Sequence, residues 1–372
     1  MSNTIATDVL VLGLGPAGAC AARQAAEQGC RVIAVDRKRV AGRPVQCAEF
    51  VPAMIGMDVA DLSASIAQPI RSMVTTIEDE RPDVHSNFPG QMLDRAAFDA
   101  ALVRRAVAAG AECRLGSMVR ALTPEGIVVL ADGTRIAAQV LIGADGPRSL
   151  AGRAIGAMNT AQVETRQLTV PLNAAYEATD IFLAAGIVGG YGWVFPKGHL
   201  ANLGAGVDPA QRGRLKDIVA NLHHELVMSG RVGAAILGLT GGLIPVGGML
   251  KPWGMLGTRL VLLAGDAAGL TNPVTGAGIT AAVTSGKIAG EWAASHLAGA
   301  AAAGADYEEE IASLYKVALD RAVARRAELA KAYRLGGAPS PAALRRGWIA
   351  YPEYWKRPIN QPSERHHELL ST

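Results

Sequence analysis

Residues 13–18 read Gly13-Leu14-Gly15-Pro16-Ala17-Gly18, set between an apolar run at 7–13 (TDVLVLG) and an alanine-rich stretch at 16–29 (PAGACAARQAAEQG). A chain passes this sharply from a buried strand into a helix when glycine removes the Cβ atoms that would block the turn. The apolar run predicts a strand, the alanine-rich stretch a helix closed by Gly29, and RVIAVD (31–36) a second strand. Strand, helix, strand implies parallel neighbours joined by a right-handed crossover. In that setting the first amides of the helix point at an anion. Asp36, at the end of the second strand, is placed to accept hydrogen bonds from ribose hydroxyls. The reading is an adenine dinucleotide held by Gly13, Gly15, Pro16, Ala17, Gly18, Asp36 and Arg37. This motif alone does not separate a flavin from a nicotinamide dinucleotide.

The rest of the chain extends this start. LDRAAFDAALVRRAVAAG (93–110) predicts a helix capped by Asp94 and stopped by Gly110. Residues 126–146 predict a strand, an Asp-Gly turn and two further strands. From 160 to 207, four short runs predict a mostly antiparallel sheet, followed by a helix over 209–238. RLVLLAGDAAG (259–269) returns to a buried strand with a helix behind it. Residues 306–335 predict a long amphipathic helix with Asp306 as N-cap and Glu309 completing a capping box; 298–305 predict a loop. The fold class is α/β (α+β overall). A Rossmann-like domain with a parallel sheet spans 1–155 and 255–300, an antiparallel substrate domain is inserted at 156–254, and 301–372 form a C-terminal helical region and tail.

Composition excludes several functions. A net charge of +3 spread over 372 residues argues against nucleic acid. Cys20, Cys30, Cys47 and Cys113 lie far apart without CxxC spacing, which argues against a disulfide framework and a zinc or iron–sulfur site. The N-terminus lacks a basic n-region and no apolar run reaches the length of a spanning helix, so a cytoplasmic, soluble protein is expected. His223-His224, adjacent on a helix, face too far apart to chelate a metal. His85 and His199 are candidate acids if folding brings them to the site, and His366-His367 read as solvated.

A second motif narrows the cofactor. LVLLAGDAAGLTNPVTGAGITAA (260–282) places Gly265-Asp266 at a strand end, then a loop carrying Pro273, Gly276 and Gly278, then a helix opening at Ile279. An aspartate there can hold a ribityl hydroxyl, and amides of the turn and helix start can stabilise negative charge on a reduced flavin ring. The segment resembles the GD motif of FAD proteins with the para-hydroxybenzoate hydroxylase fold. Asp145 in IGADGPRSLAGR resembles the DG motif of the same superfamily, and Arg95 in LDRAAFD its FAD-phosphate arginine. The resemblance implies tight, non-covalent FAD. No second Rossmann fingerprint is present for NAD.

Three further segments carry a closer resemblance. PVQCAEFVP, with Cys47, Ala48 and Glu49, is similar to the Pro-x-x-Cys-(Gly/Ala)-Glu segment of the geranylgeranyl reductase family. GGYGWVFPKGHLANLGAGV resembles that family's Tyr-x-Trp-x-Phe-Pro motif, and GGLIPVGG the stretch before its GD strand. The resemblance covers roughly the first 290 residues. It implies reduction of carbon–carbon double bonds in a hydrophobic prenyl or lipid substrate, by hydride from flavin N5, with NAD(P)H or a redox protein as external donor. Cys47 and Glu49 become the candidate catalytic residues, on a loop that the fold lays along the flavin. Rival readings are a monooxygenase acting on an aromatic substrate and a flavin protein without turnover.

Tyr191, Trp193 and Phe195 alternate onto one strand face, as sheet core or, given the resemblance, as the roof of a flat substrate cavity. The C-terminal stretch RRGWIAYPEYWKRP (345–358) mixes Trp348, Tyr351, Tyr354 and Trp355 with cations. It reads either as an interfacial membrane anchor or as a tail packed on the body or on a second subunit.

Overall fold

A computed structural model describes residues 4–53, 64–335 and 337–356. The strand Thr4–Leu12 lies at the centre of the first sheet. It pairs in parallel with Val32–Asp36 on one side and with Arg135–Gly143 on the other. Arg259–Leu263 extends the sheet beyond Arg135–Gly143, and Glu112–Leu115 beyond Val32–Asp36. Val9, Leu10 and Val11 and their neighbours Val140, Leu141 and Ile142 are all 0% exposed, since helices cover the parallel sheet. The predicted pair of strands after the Asp-Gly turn is one strand, Arg135–Gly143. Its partner Thr4–Leu12 is equally long and pairs with it from Thr4–Arg135 to Leu12–Gly143.

The helices Pro16–Glu27 and Ile279–Leu297 cross behind the glycine turn at close range. A Cβ on Gly286 would stand 2.1 Å from the carbonyl oxygen of Ala17, and one on Gly290 2.7 Å from that of Ala21. The predicted cap of the helix Arg95–Ala108 forms: the Asp94 carboxylate accepts from the Ala97 amide at 3.0 Å. The long C-terminal helix is Ala303–Arg334 and opens earlier than predicted, with Ala302 at its N-cap. Asp306 therefore lies in the first turn, where its charge favours the helix dipole, and the capping box is absent. Tyr307 anchors this helix, donating from its buried hydroxyl to the Leu263 carbonyl at 2.6 Å.

The second sheet has seven strands, in the order Gly238–Pro245, Gln162–Pro171, Leu200–Val207, Gly192–Lys197, Ala178–Leu183, Ser72–Ile77, Asp83–His85. Its last two strands come from the region assigned by sequence to the first domain. Ser72–Ile77 pairs in parallel with Ala178–Leu183, a long-range partner with no local signal. Phe50–Pro52, Gly90–Leu93 and Ile66–Ile70 form a separate three-stranded sheet, so the chain leaves the first sheet twice. The helix predicted at 209–238 covers only Leu215–Met228, after a short 3-10 turn at Pro209–Arg214. Gly230, at φ +71°, ends it, and the chain continues into the edge strand Gly238–Pro245. Among the described residues no helix is long and apolar enough to cross a membrane.

Gly286→Ala tests the helix crossing. Alanine in an open helix gains about 1 kcal/mol over glycine, but here the new methyl must push apart two backbones. The variant is expected to lose about 1–3 kcal/mol, read as a lower melting temperature.

Candidate active site

A cavity of ≈ 1270 Å³ lies between the carboxyl ends of the parallel strands and the antiparallel sheet. At one end, Gly13 turns at φ +96° with its Cα so close to Ala144 that a Cβ would stand 2.3 Å from that carbonyl oxygen. Gly15 differs: a Cβ there would meet nothing within 4 Å, and with Pro16 and Ala17 it faces the cavity. Gly18, named with them from the sequence, does not line the cavity. It sits behind the turn, where a Cβ would overlap the Gly13 carbonyl at 1.8 Å. The Asp36 carboxylate ties the second strand to the turn, accepting from the amides of Leu14 and Lys38, both at 2.7 Å. Arg37 lines the same end.

The far end is built from the second motif. Asp266 is half-buried at the cavity wall, and desolvation pushes its carboxyl above the usual carboxylate range, opposed by the Thr271 hydroxyl and the charge of Arg95. The Asn272 side chain folds the following loop, accepting from the amides of Val274 at 2.9 Å and Thr275 at 3.1 Å. Pro273, Gly276, Gly278 and Ile279 then line the cavity. A Cβ on Gly278 would stand 2.5 Å from the Thr271 hydroxyl. Gly265, at φ +61°, stays out of the cavity lining and supplies close packing against Ala17 and Ala282. Asp145 reaches the wall, yet its carboxylate is engaged in its own turn by Ser149 and by the Leu150 amide at 2.6 Å. Burial raises its pKa against those bonds.

Between the two ends runs the loop of Cys47, Ala48 and Glu49. Glu49 adopts φ +69°, which costs a residue with a side chain about 1–3 kcal/mol. Surrounding bonds hold it there. Its carboxylate, 5% exposed, receives Lys197 Nζ at 2.9 Å on both oxygens, Asn202 Nδ2 at 2.9 Å and the Arg95 amide at 3.0 Å. Gln167 donates to the Cys47 carbonyl at 3.1 Å and Asn202 to that of Ala48 at 3.2 Å, while Trp193 Nε1 donates to Gln167 at 3.1 Å. Both Glu49 oxygens are therefore already engaged within the protein.

Cys47 has a different environment. Its Sγ accepts from the Glu49 amide at 3.2 Å and lies close enough to the part-buried guanidinium of Arg95 to act on its charge. Burial disfavours the Arg95 cation, but Cys47 and Asp99 beside it raise its pKa above the ordinary arginine value. Of the four cysteines, Cys47 alone lines the cavity; burial pushes Cys20 up to about 12 and Cys113 to about 11.

Tyr191, Trp193 and Phe195 all face the cavity, with ring centroids 5.7 Å and 6.3 Å apart along the series. Phe50 adds a ring 5.5 Å from Phe195. Tyr191 also reaches the other motif, donating from its hydroxyl to the Thr275 carbonyl at 2.6 Å. Trp348 closes the wall 4.8 Å from Tyr191. Trp348, Tyr351 and Tyr354 are 3%, 7% and 2% exposed, so the C-terminal stretch packs on the body as far as it is described; Trp355 alone of the four is exposed. Arg357, Pro358, His366 and His367 lie outside the described residues. His199 is exposed and His85 packs edge-on against Tyr351, and neither lines the cavity. His223 bonds the Gly233 carbonyl at 3.1 Å.

The sequence reading missed Lys197, Asn202, Gln167, Thr271 and Arg326. Arg326 donates to the carbonyls of Gly189 at 2.8 Å and Pro273 at 3.2 Å. Buried polar side chains inside apolar strands, as in RQLTVP and ANLGAGV, were the available signal for two of them.

A family model for FAD dependent oxidoreductases matches residues 8–187. Over 308 residues the chain is 34% identical to the digeranylgeranylglycerophospholipid reductase of Methanosarcina mazei, an alignment that covers 76% of this chain and 74% of that protein. The chain belongs to the geranylgeranyl reductase family of FAD-dependent oxidoreductases. A geranylgeranyl bacteriochlorophyll reductase-like protein from Thermoplasma acidophilum superposes with a TM-score of 0.77 at 25% identity, over 95% of this chain and 98% of that one. PqsL from Pseudomonas aeruginosa, a probable FAD-dependent monooxygenase, shares the fold with a TM-score of 0.68 at 18% identity, over 89% and 98%.

The residues present suit the family's cofactor. The open space beyond Gly15 leaves room for a pyrophosphate against the helix start, and the half-buried Asp266 faces the other end of the same cavity. Gly15→Ala is expected to fold normally, since its Cβ meets no protein atom within 4 Å, and to weaken FAD binding at least about tenfold, measured by flavin fluorescence titration. Asp266→Asn tests the desolvated charge. A carboxyl with a raised folded pKa favours the folded state below its unfolded value of about 3.9 and loses that advantage as pH rises. The cofactor-free variant is therefore expected to melt higher than the parent at pH 7, with the gap closing as the pH falls toward 4.

Proposed function

We propose that this FAD-dependent oxidoreductase saturates carbon–carbon double bonds of a prenyl chain carried on a lipid, re-reduced by an external donor such as NAD(P)H or a redox protein. The observation that carries the reading is the placement of Tyr191, Trp193, Phe195 and Phe50 in one cavity with the Cys47 loop. An aromatic wall of this kind suits a flat apolar alkene.

Gly13, Gly15, Pro16, Ala17, Asp36 and Arg37 would hold the adenosine half of FAD. Arg95 would meet the phosphates between the halves, and Asp266, Pro273, Gly276, Gly278 and Ile279 would hold the flavin half. When bound and reduced, the flavin supplies a hydride. An isolated alkene accepts hydride poorly, so the chain must fix its orientation, exclude water and deliver a proton to the neighbouring carbon. The aromatic wall performs the first two tasks. Cys47 is assigned the third: its thiol lies on the cavity surface and is the group that gives the proton, to be restored from solvent. Glu49, locked by Lys197 and Asn202, keeps that thiol in place. Tyr191 couples the wall to the flavin loop through Thr275.

Dithionite-reduced protein incubated without oxygen with a polyprenyl lipid should yield products two mass units heavier per bond reduced. Products sixteen units heavier in air, or none, would overturn the assignment. Cys47→Ala is expected to cut turnover at least about 10²-fold with flavin absorbance retained; a near-normal rate would leave Cys47 only a packing role.

A further inference from the structure

The surface changes character around the mouth of the cavity. Leu239 lines the cavity and is nevertheless 59% exposed, and Ile236 and Leu237 beside it are 57% and 58% exposed. These aliphatic side chains lead into the edge strand Gly238–Pro245. Immediately after them, Thr240 Oγ1 donates to the Val45 carbonyl at 2.8 Å, and Gln46 Nε2 donates to the Gly241 carbonyl at 3.1 Å. Those two bonds lay the 37–46 loop against the same edge.

That loop is cationic. Arg37, Lys38, Arg39 and Arg43 surround a groove of ≈ 530 Å³ that shares Arg37, Lys38, Pro44 and Gln46 with the main cavity. Val40 projects between them, 55% exposed. Arg212 and Lys216, before and within the helix Leu215–Met228, add two more cations to the cavity lining. Among the described residues, none of Arg37, Arg39, Arg43, Arg212 and Lys216 has a carboxylate partner within ion-pair distance. Solvated aliphatic side chains interleaved with unpaired cations suit an interface that is apolar at depth and anionic at its surface.

We propose that this rim, formed by 236–240, the 37–46 loop and the start of the 215–228 helix, docks the protein on an anionic phospholipid bilayer. The proposal rests on the prenyl-lipid reading of the substrate and adds where that lipid comes from. Ile236, Leu237 and Val40 enter the headgroup region while Arg39, Arg43, Arg212 and Lys216 meet phosphates. Leu239 then joins the bilayer to the cavity, so a prenyl chain passes from one to the other without its methylenes meeting water. Trp348, Tyr351 and Tyr354 do not take this part, because they are buried.

Flotation of the FAD-loaded protein with vesicles tests the assignment. The protein should float with vesicles containing about one third phosphatidylglycerol and not with pure phosphatidylcholine, and rising salt should release it. A variant carrying Ile236→Ser, Leu237→Ser, Arg39→Gln and Arg43→Gln should lose at least about tenfold of this partition. The four side chains are exposed, and the variant should keep its melting temperature, its flavin absorbance and its rate on a dissolved short prenyl alcohol. The pair Arg39→Gln and Arg43→Gln alone should flatten the salt dependence. Absence of flotation by the parent, or equal flotation by parent and variant, would overturn docking. So would a parent dimer that the variant converts to monomer with flotation unchanged, which would give the face to a second copy. Flotation without any alkene reduction would instead sink the substrate reading and leave docking standing.

Discussion

The carboxylate of Glu49 stands almost out of water and is reached from a sheet and a helix at once. Lys197 and Asn202 come to it from adjacent antiparallel strands, and the Arg95 amide from the first turn of a helix on the nucleotide side. A buried carboxylate is costly unless paired and fully hydrogen-bonded, and a single missing donor leaves its charge uncompensated. The arrangement therefore tolerates one relative placement of the antiparallel sheet and the helix Arg95–Ala108. It also explains how a residue with a side chain persists at φ +69°: the bonds around it determine the backbone. Cys47, two residues earlier, inherits its position from this lock, as does the distance between the thiol and the aromatic wall.

Small residues set the other boundary of the cavity. Gly18, Gly286 and Gly290 bring two helices and a turn into backbone contact, and that contact aims the start of the first helix at the space beyond Gly15. Tyr191 and Arg326 then tie the later loop to the wall and to the C-terminal helix through the carbonyls of Thr275, Gly189 and Pro273. Both side chains bond backbone, and they add to the shape that the Asn272 side chain gives the loop from within.

Much of this was legible in the sequence wherever the signal is local. The glycine turn, the strand-end aspartates, the Asp94 cap and the alternation of Tyr191, Trp193 and Phe195 are each readable within about ten residues, because backbone sterics and period-two patterning fix them. Long-range pairing left no such trace. SMVTTI at 72–77 alternates as any half-buried strand does, and nothing in it says that its partner lies a hundred residues later. Gly18 and Gly265 carry the motif letters for cofactor contact, yet serve packing behind the site. Lys197, Asn202 and Gln167 are ordinary polar residues until folding gathers them on one loop. Their roles depend on a meeting of strands that no spacing encodes.

The central strand of the first sheet carries a consequence for how the molecule comes into being. Thr4–Leu12 is made long before its partner sheet is complete: the sheet on that flank is completed by Arg259–Leu263, and the loop after that strand lines the far end of the cavity. Arg326, later still, closes over that loop. Parallel strands so far apart in the chain pair late and slowly. A nascent chain on the ribosome therefore exposes its glycine turn long before it owns the opposite wall. Cofactor capture then waits until both walls have been made, and binding stabilises the chain that has assembled them over earlier forms.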